Sequence, residues 1–298
     1  MIPKGKLIII GGAVDTGSFT EKQFNQPINL NFFEKGILKR LIVESKSGND
    51  SRIEIITTAS LIPEAVGDEY VRAFGQLNVA NVGVMNIKTR MEANAEEFIE
   101  RVNNCDVVMF TGGDQLRLTS IFGGTKFLYA LLEKYIHHDF IVAGTSAGAA
   151  ACSENMIYQG NHSEALLKGE VKITGGLGLI KDVIIDTHFV HRGRIGRLFY
   201  AVASNPGILG IGLGEDTGLL ITGGNEMEAI GSGLVILVDG RQIINTNITD
   251  VAMGMPVSIE HLVVHVMSMF DKYSIHERKM TINKIFKADL EIYAKIDQ

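Results

Sequence analysis

The first half of the chain alternates short apolar runs with stretches of helical spacing. Leu7 to Ile10 is a fully apolar run ended by Gly11-Gly12, which predicts a buried strand. Phe32 to Val43 carries apolar residues at helical spacing. Further strands are predicted at Ile53–Thr57, Val82–Ile87, Asp106–Phe110 and Phe140–Gly144. The segments Pro63–Leu77, Ala93–Asn103 and Lys126–His137 between them read as helices. Such alternation predicts a parallel sheet with helices on both faces. The second half is different. Val183–His188, Ile208–Gly214, Gly218–Ile221, Met227–Ile230 and Leu234–Val238 are closely spaced short strands, which suggest added mixed or antiparallel pairing. Ser258–Met269 reads as a helix, and the charged tail Lys279–Tyr293 has no clear period. No linker interrupts the chain, so one α/β domain is expected, with a core at about 7–270 and a C-terminal extension at about 271–298.

Composition narrows the function classes. Among 298 residues, 46 % are hydrophobic and 21 % charged, an ordinary globular balance that excludes disorder as the main state. A net charge of −6 is a poor footprint for nucleic acid. Two cysteines, Cys105 and Cys152, are too few for a disulfide framework or a four-cysteine zinc site, and both sit in apolar runs as small buried hydrophobes. No apolar window is long enough for a signal core or a membrane span, so a soluble cytoplasmic protein is expected. Glycine is abundant, at 33 residues against 5 prolines. It occurs in pairs at the ends of apolar runs (Gly11-Gly12, Gly112-Gly113), where backbone can turn tightly or approach a ligand.

Gly144-Thr145-Ser146-Ala147-Gly148 fits the G-x-S-x-G pattern of a nucleophile elbow. A buried strand precedes it, and a small-residue stretch, Ala147–Cys152, can start a helix after it. The Ser146 hydroxyl then stands at the C-terminal edge of the sheet, with the N–H of Ala147 at a helix start. A serine hydroxyl needs a base. His188 ends a strand in Asp186-Thr187-His188-Phe189 and is expected at the same sheet edge, with His191 as a rival. His137 and His138 end a helix and read as solvated, His276 reads as a loop histidine, and His162 lies in a polar loop. His261 and His265 are four apart on the expected helix, without the third ligand a metal would need. For the acid that orients the imidazole, Glu215 is the first choice because it ends a separate apolar strand. Asp216, Asp186 and Glu154 stay open.

Four motifs, in this order, carry a resemblance: Phe110-Thr111-Gly112-Gly113-Asp114-Gln115; Gly144 to Ala149; Asp186-Thr187-His188-Phe189 with Arg192-Gly193-Arg194-Ile195-Gly196-Arg197; and Gly212-Leu213-Gly214-Glu215-Asp216-Thr217. Over about residues 7–240 the chain resembles the cyanophycinases, serine peptidases grouped with the α-aspartyl dipeptidases (peptidase E). The resemblance implies a fold like that of class I glutamine amidotransferases, with serine where those enzymes carry cysteine. It implies a Ser146–His188–Glu215 triad and an oxyanion hole from backbone N–H groups of Gly113 or Asp114 and Ala147. It maps substrate-binding residues onto Gln115, Asp186, Arg192, Arg194 and Arg197, with Thr187 beside them. Its substrate is cyanophycin, a polyaspartate with arginine on each side chain, cut to β-Asp-Arg dipeptides by an enzyme that is expected to be a homodimer. Three closely spaced arginines suit bidentate carboxylate binding. Thr187 and Gly193 depart from the Gln and Asn common there, which bears on substrate choice. An isoaspartyl or α-aspartyl dipeptidase, or a non-catalytic protein that binds acidic peptides, are the alternatives. No motif asks for a metal or cofactor.

Overall fold

The computed structural model describes residues 1–17, 32–161 and 164–284. The first half runs β1 (Lys6–Ile10), α1 (Phe32–Lys35), α2 (Ile37–Glu44), β2 (Ile53–Ile56), α3 (Pro63–Gln76), β3 (Val82–Met85), α4 (Glu96–Asn104), β4 (Val107–Phe110), α5 (Gln115–Phe122), α6 (Lys126–His137), β5 (Ile141–Thr145) and α7 (Ala147–Ala151). The second runs β6 (Asn155–Gln159), β7 (Lys172–Gly175), β8 (Val183–Asp186), α8 (Ile195–Ser204), β9 (Leu209–Leu213), β10 (Thr217–Thr222), β11 (Glu226–Gly231), β12 (Val235–Asp239), β13 (Asn245–Thr246), β14 (Ile259–Glu260), β15 (Val263–Met267), β16 (Lys272–Ser274) and β17 (Lys279–Thr281). His162 and the tail beyond residue 284 lie outside the described residues.

The fold is a mixed α/β architecture. Strands β1, β5, β4, β2 and β3 pair in parallel in that order. Antiparallel β10, β11, β16 and β17 extend the sheet beyond β1. The parallel strands are mainly apolar because both faces are covered, and the buried charged exception, Glu54 of β2, is ion-paired with Arg52 and Arg101. Leu7 and Ile9 enter one core with Phe122, Phe127 and Leu131 of α5 and α6. Ile8 and Ile10 enter another with Leu38, Leu41 and Phe74 of α2 and α3. Thr125 caps α6, its hydroxyl accepting from the N–H of Leu128, and Pro63 opens α3 where a missing N–H costs nothing.

A second sheet, ordered β15-β12-β9-β8, has one parallel pair, β8 with β9, and is otherwise antiparallel. Val183, Ile185, Leu209, Ile211 and Leu237 face the core shared with the first sheet. Ile184 and Val238 face α8. The short helix α7 sits in the shared core, and its buried residues are only Ala and Gly. Their small size lets the two sheets approach.

Two expectations are corrected. Ser258–Met269 is not helical but forms β14 and β15. Leu262, Val263, Val266 and Met267 fit helical spacing as well as a strand. The three β-branched valines and the alternating exposure of Val263–Met267 mark a strand on β12. His261 and His265 therefore lie on a turn and on β15, not on one helix face. Phe32–Val43 is also interrupted, with Gly36 separating α1 from α2.

Candidate active site

Strand β5 lies between β1 and β4, and Ser146 follows its last residue at the start of α7. The N–H of Ser146 donates to Ile10 O (2.8 Å), which carries the parallel ladder one residue past the strand. Ser146 adopts φ 53, ψ −112, a conformation unfavourable for a residue with a side chain. The turn is tight enough that a Cβ on Gly148 would collide with Phe110. The side chain of Ser146 makes no cap hydrogen bond to the helix that follows.

Ser146 Oγ and His188 Nε2 are 2.9 Å apart. His188 Nδ1 and Glu215 Oε1 are 3.1 Å apart. An ionised carboxylate only accepts, so Nδ1 carries the proton and Nε2 is the acceptor for the serine hydroxyl. His188 follows β8 and Glu215 follows β9. Both belong to the second sheet, which corrects the expectation that His188 shares the sheet edge of Ser146. Burial holds the imidazole below its usual pKa. The bond to Glu215 opposes this, and nearby Arg192 and Arg194 add to the lowering. His191 is exposed, and its Nδ1 lies 3.8 Å from the other oxygen of Glu215. Glu154 is exposed between α7 and β6, and none of its side-chain bonds joins the chain of three.

The surroundings differ from expectation in three places. The N–H of Asp114 already donates to Ala59 O (3.0 Å), so it is not a free donor. The Asp114 side chain instead caps α5 by accepting from Leu116 N–H (2.8 Å). Among the described residues no backbone carbonyl accepts from the N–H of Gly113 or Ala147, and Gly112 lies directly against Ser146. Asp186 and Arg197 do not face outward. Both are buried and form a two-bonded ion pair, Nε to Oδ2 and Nη2 to Oδ1. Arg197 lies within α8, not in a loop, because Leu198, Ala201 and Val202 bring that helix onto the second sheet. The Thr187 N–H completes the coordination of Asp186 at 2.8 Å.

Two arginines remain for ligands. Arg192 is exposed. Arg194 is partly buried, donates to Thr187 O (2.8 Å) and has only a long contact to Asp186 (3.5 Å). Burial, with like charges on Arg197 and Arg192, lowers its pKa to about 10. Gln115 donates to Ile157 O (3.0 Å), and Thr187 is buried. Among the described residues no group of three His, Cys, Asp or Glu side chains has metal-binding geometry, and no helix is long and apolar enough to cross a membrane. Cys105 and Cys152 are both buried and unpaired by disulfide.

A serine elbow between parallel strands, bonded to an imidazole and through it to a carboxylate, is the machinery of a serine-type hydrolase. The model for peptidase family S51 matches residues 34–228, well over half of the chain. The chain belongs to that family and is a serine-type peptidase. A cyanophycinase from Synechococcus elongatus is 33 % identical over 93 % of this chain and 81 % of its own length. One from Geminocystis herdmanii is 32 % identical over 91 % of this chain and 94 % of its own. Among solved structures, a peptidase from an acI-B1 actinobacterium superposes with a TM-score of 0.60. It is 21 % identical and covers 80 % of this chain and 93 % of its own. That likeness shows the shared fold.

Proposed function

We propose that this peptidase hydrolyses the aspartate backbone of cyanophycin from one end and releases β-Asp-Arg dipeptides. The observation that carries the reading is the continuous hydrogen-bonded series Ser146, His188, Glu215 beside two arginines with unfilled donors. The relatives that carry the name cyanophycinase at 32–33 % identity add to it.

In this reading His188 takes the hydroxyl proton as Ser146 Oγ bonds to the scissile carbonyl carbon. Backbone N–H groups of Gly113 and Ala147 stabilise the oxyanion, an effect worth about 3 kcal/mol per donor in known cases. His188 then gives the proton to the departing amine, and the C–N bond breaks. Water, deprotonated by the same imidazole, releases the acyl group from Ser146. Glu215 holds the ring's tautomer throughout. Arg192 and Arg194 bind substrate carboxylates and Gln115 lines the cleft. Asp186 and Arg197 support Thr187 and Arg194 from beneath. The enzyme is taken to act in the cytoplasm as a homodimer, which light scattering on the purified chain tests.

Incubation with purified cyanophycin and mass analysis of the products tests the reading. β-Asp-Arg is expected, and intact polymer would overturn it. The second reading, a dipeptidase that ignores the polymer, draws on buried Thr187, a position where the family resemblance implies a longer amide. Comparison of kcat/KM on β-Asp-Arg, β-Asp-Leu and α-Asp-Leu peptides separates the two.

A further inference from the structure

The backbone that follows β1 lies against the face of the catalytic imidazole. The N–H of His188 donates to Gly11 O (2.9 Å). Gly12, at φ +119, comes so close that a Cβ there would collide with Cε1 and both nitrogens of the ring. This strap, Gly11 to Asp15, is tied at its start by the N–H of Gly11 to Thr217 O (2.8 Å), and beyond that point by Asp216. The N–H of Asp216 donates to Gly12 O (2.9 Å), and Asp216 Oδ1 accepts from the N–H of Asp15 (3.2 Å). The carboxylate is in turn fixed by the hydroxyl of Ser232, which donates to Oδ2 (2.8 Å), and Asp216 O accepts from the N–H of Ser232 (2.8 Å).

Asp216 makes no hydrogen bond to Ser146, His188 or the Glu215 carboxylate. It is nonetheless buried and adopts a left-handed backbone (φ 43). Ala13, Ser146 and His188 share that unfavourable region, so four strained residues meet at the strap and the site. A buried carboxylate in such a conformation is costly twice over, and what it secures is the strap.

We infer that Asp216 is a positioning residue for the chemistry of Ser146: by holding the Gly11–Asp15 strap against His188, it fixes the imidazole between Ser146 and Glu215. The inference rests on the Ser146–His188–Glu215 reading. The charged or titratable groups around the ring are Glu215, His191, Arg192 and Arg194, and Asp15 faces the Asp216 carboxylate. Without the tie, the strap lifts and the ring gains both solvent and freedom.

The test is the rate at which a fluorophosphonate labels Ser146, measured against pH, which needs no assigned substrate. Asp216→Ala is expected to slow labelling about 10- to 100-fold, as a small misplacement of a catalytic group does. It is also expected to move the acid limb of the rate upward in pH, because the ring loses the burial that lowers its pKa. With any substrate the wild type cleaves, kcat falls and KM stays within about twofold. Asp216→Asn restores most of the rate, since its amide oxygen accepts from Asp15 and its amide N–H donates to Ser232 Oγ. If Asp216→Ala does not fold by circular dichroism, Ser232→Ala removes one of the two side-chain ties and is expected to slow labelling at least about threefold, with the same shift of the limb. A folded Asp216→Ala with wild-type rate and limb, or an Asp216→Asn as slow as Asp216→Ala, overturns the inference alone. A wild type that does not label removes the triad reading and this inference together.

Discussion

Ser146 and His188 are 2.9 Å apart, yet they end strands of different sheets. The hydroxyl comes from the parallel part of the large sheet. The imidazole and its carboxylate come from neighbouring parallel strands, β8 and β9, of the small one. Each sheet presents its part at a C-terminal strand end, and Gly11-Gly12 lies between the two.

Removing the hydroxyl tests the nucleophile. Ser146→Ala is expected to lower kcat by at least about 10³-fold, and Glu215→Gln by roughly 10³- to 10⁴-fold, because an amide no longer enforces the Nδ1–H tautomer. Steady-state kinetics on the cleaved substrate checks both, with circular dichroism to show that the fold persists. Activity in Ser146→Ala within tenfold of wild type would reject this assignment.

The pH profile has a defined direction. A general base works only when unprotonated, so activity falls as pH drops through the folded pKa of His188. Burial sets that pKa below the usual value, so the acid limb of kcat/KM is expected below pH 6.5. Arg192→Gln removes one of the charges that lower it and is expected to move the limb to higher pH. An unmoved limb in that variant would mean that Arg192 exerts no field on the ring.

The Asp186–Arg197 pair predicts a stability effect. Arg197→Met leaves a buried carboxylate without its partner and is expected to cost about 3–5 kcal/mol, read by denaturant titration. Asp186→Asn combined with Arg197→Met is expected to cost less than Arg197→Met alone, since no uncompensated charge is left.

Asp216 predicts the opposite sign. Burial raises its pKa to about 6, from 3.8 in the open chain. The fold therefore favours the protonated acid, and that advantage is lost as pH rises through about 6. Asp216→Asn, which stays neutral, is expected to be more stable than wild type at pH 7–8 by up to about 3 kcal/mol, with the difference vanishing below about pH 4. Melting curves across this range check it.

The parallel half of the fold was legible because its strands are covered on both faces and read as unbroken apolar runs, as at Leu7–Ile10 and Val107–Phe110. Ser146 was legible for a local reason, a serine between glycines at the end of such a run. The second sheet was not. Val183–Asp186 and Thr217–Thr222 carry the same kind of apolar run, and nothing in either states which sheet it joins. Arg197 shows the same limit. Its spacing from Arg192 and Arg194 marks a cationic cluster, but the packing of Leu198 and Val202 on the second sheet turns it inward to Asp186. Asp216 stood in the sequence only as an alternative to Glu215. Its tie to Asp15 spans 201 positions, a relation that no local pattern carries.

Because Ser146 and His188, the proposed nucleophile and base, are anchored in separate sheets, catalytic competence reports on their alignment rather than on either alone. Gentle warming is therefore expected to silence the enzyme before its circular dichroism changes, through a slippage of one layer against the other that no single helix or strand would register.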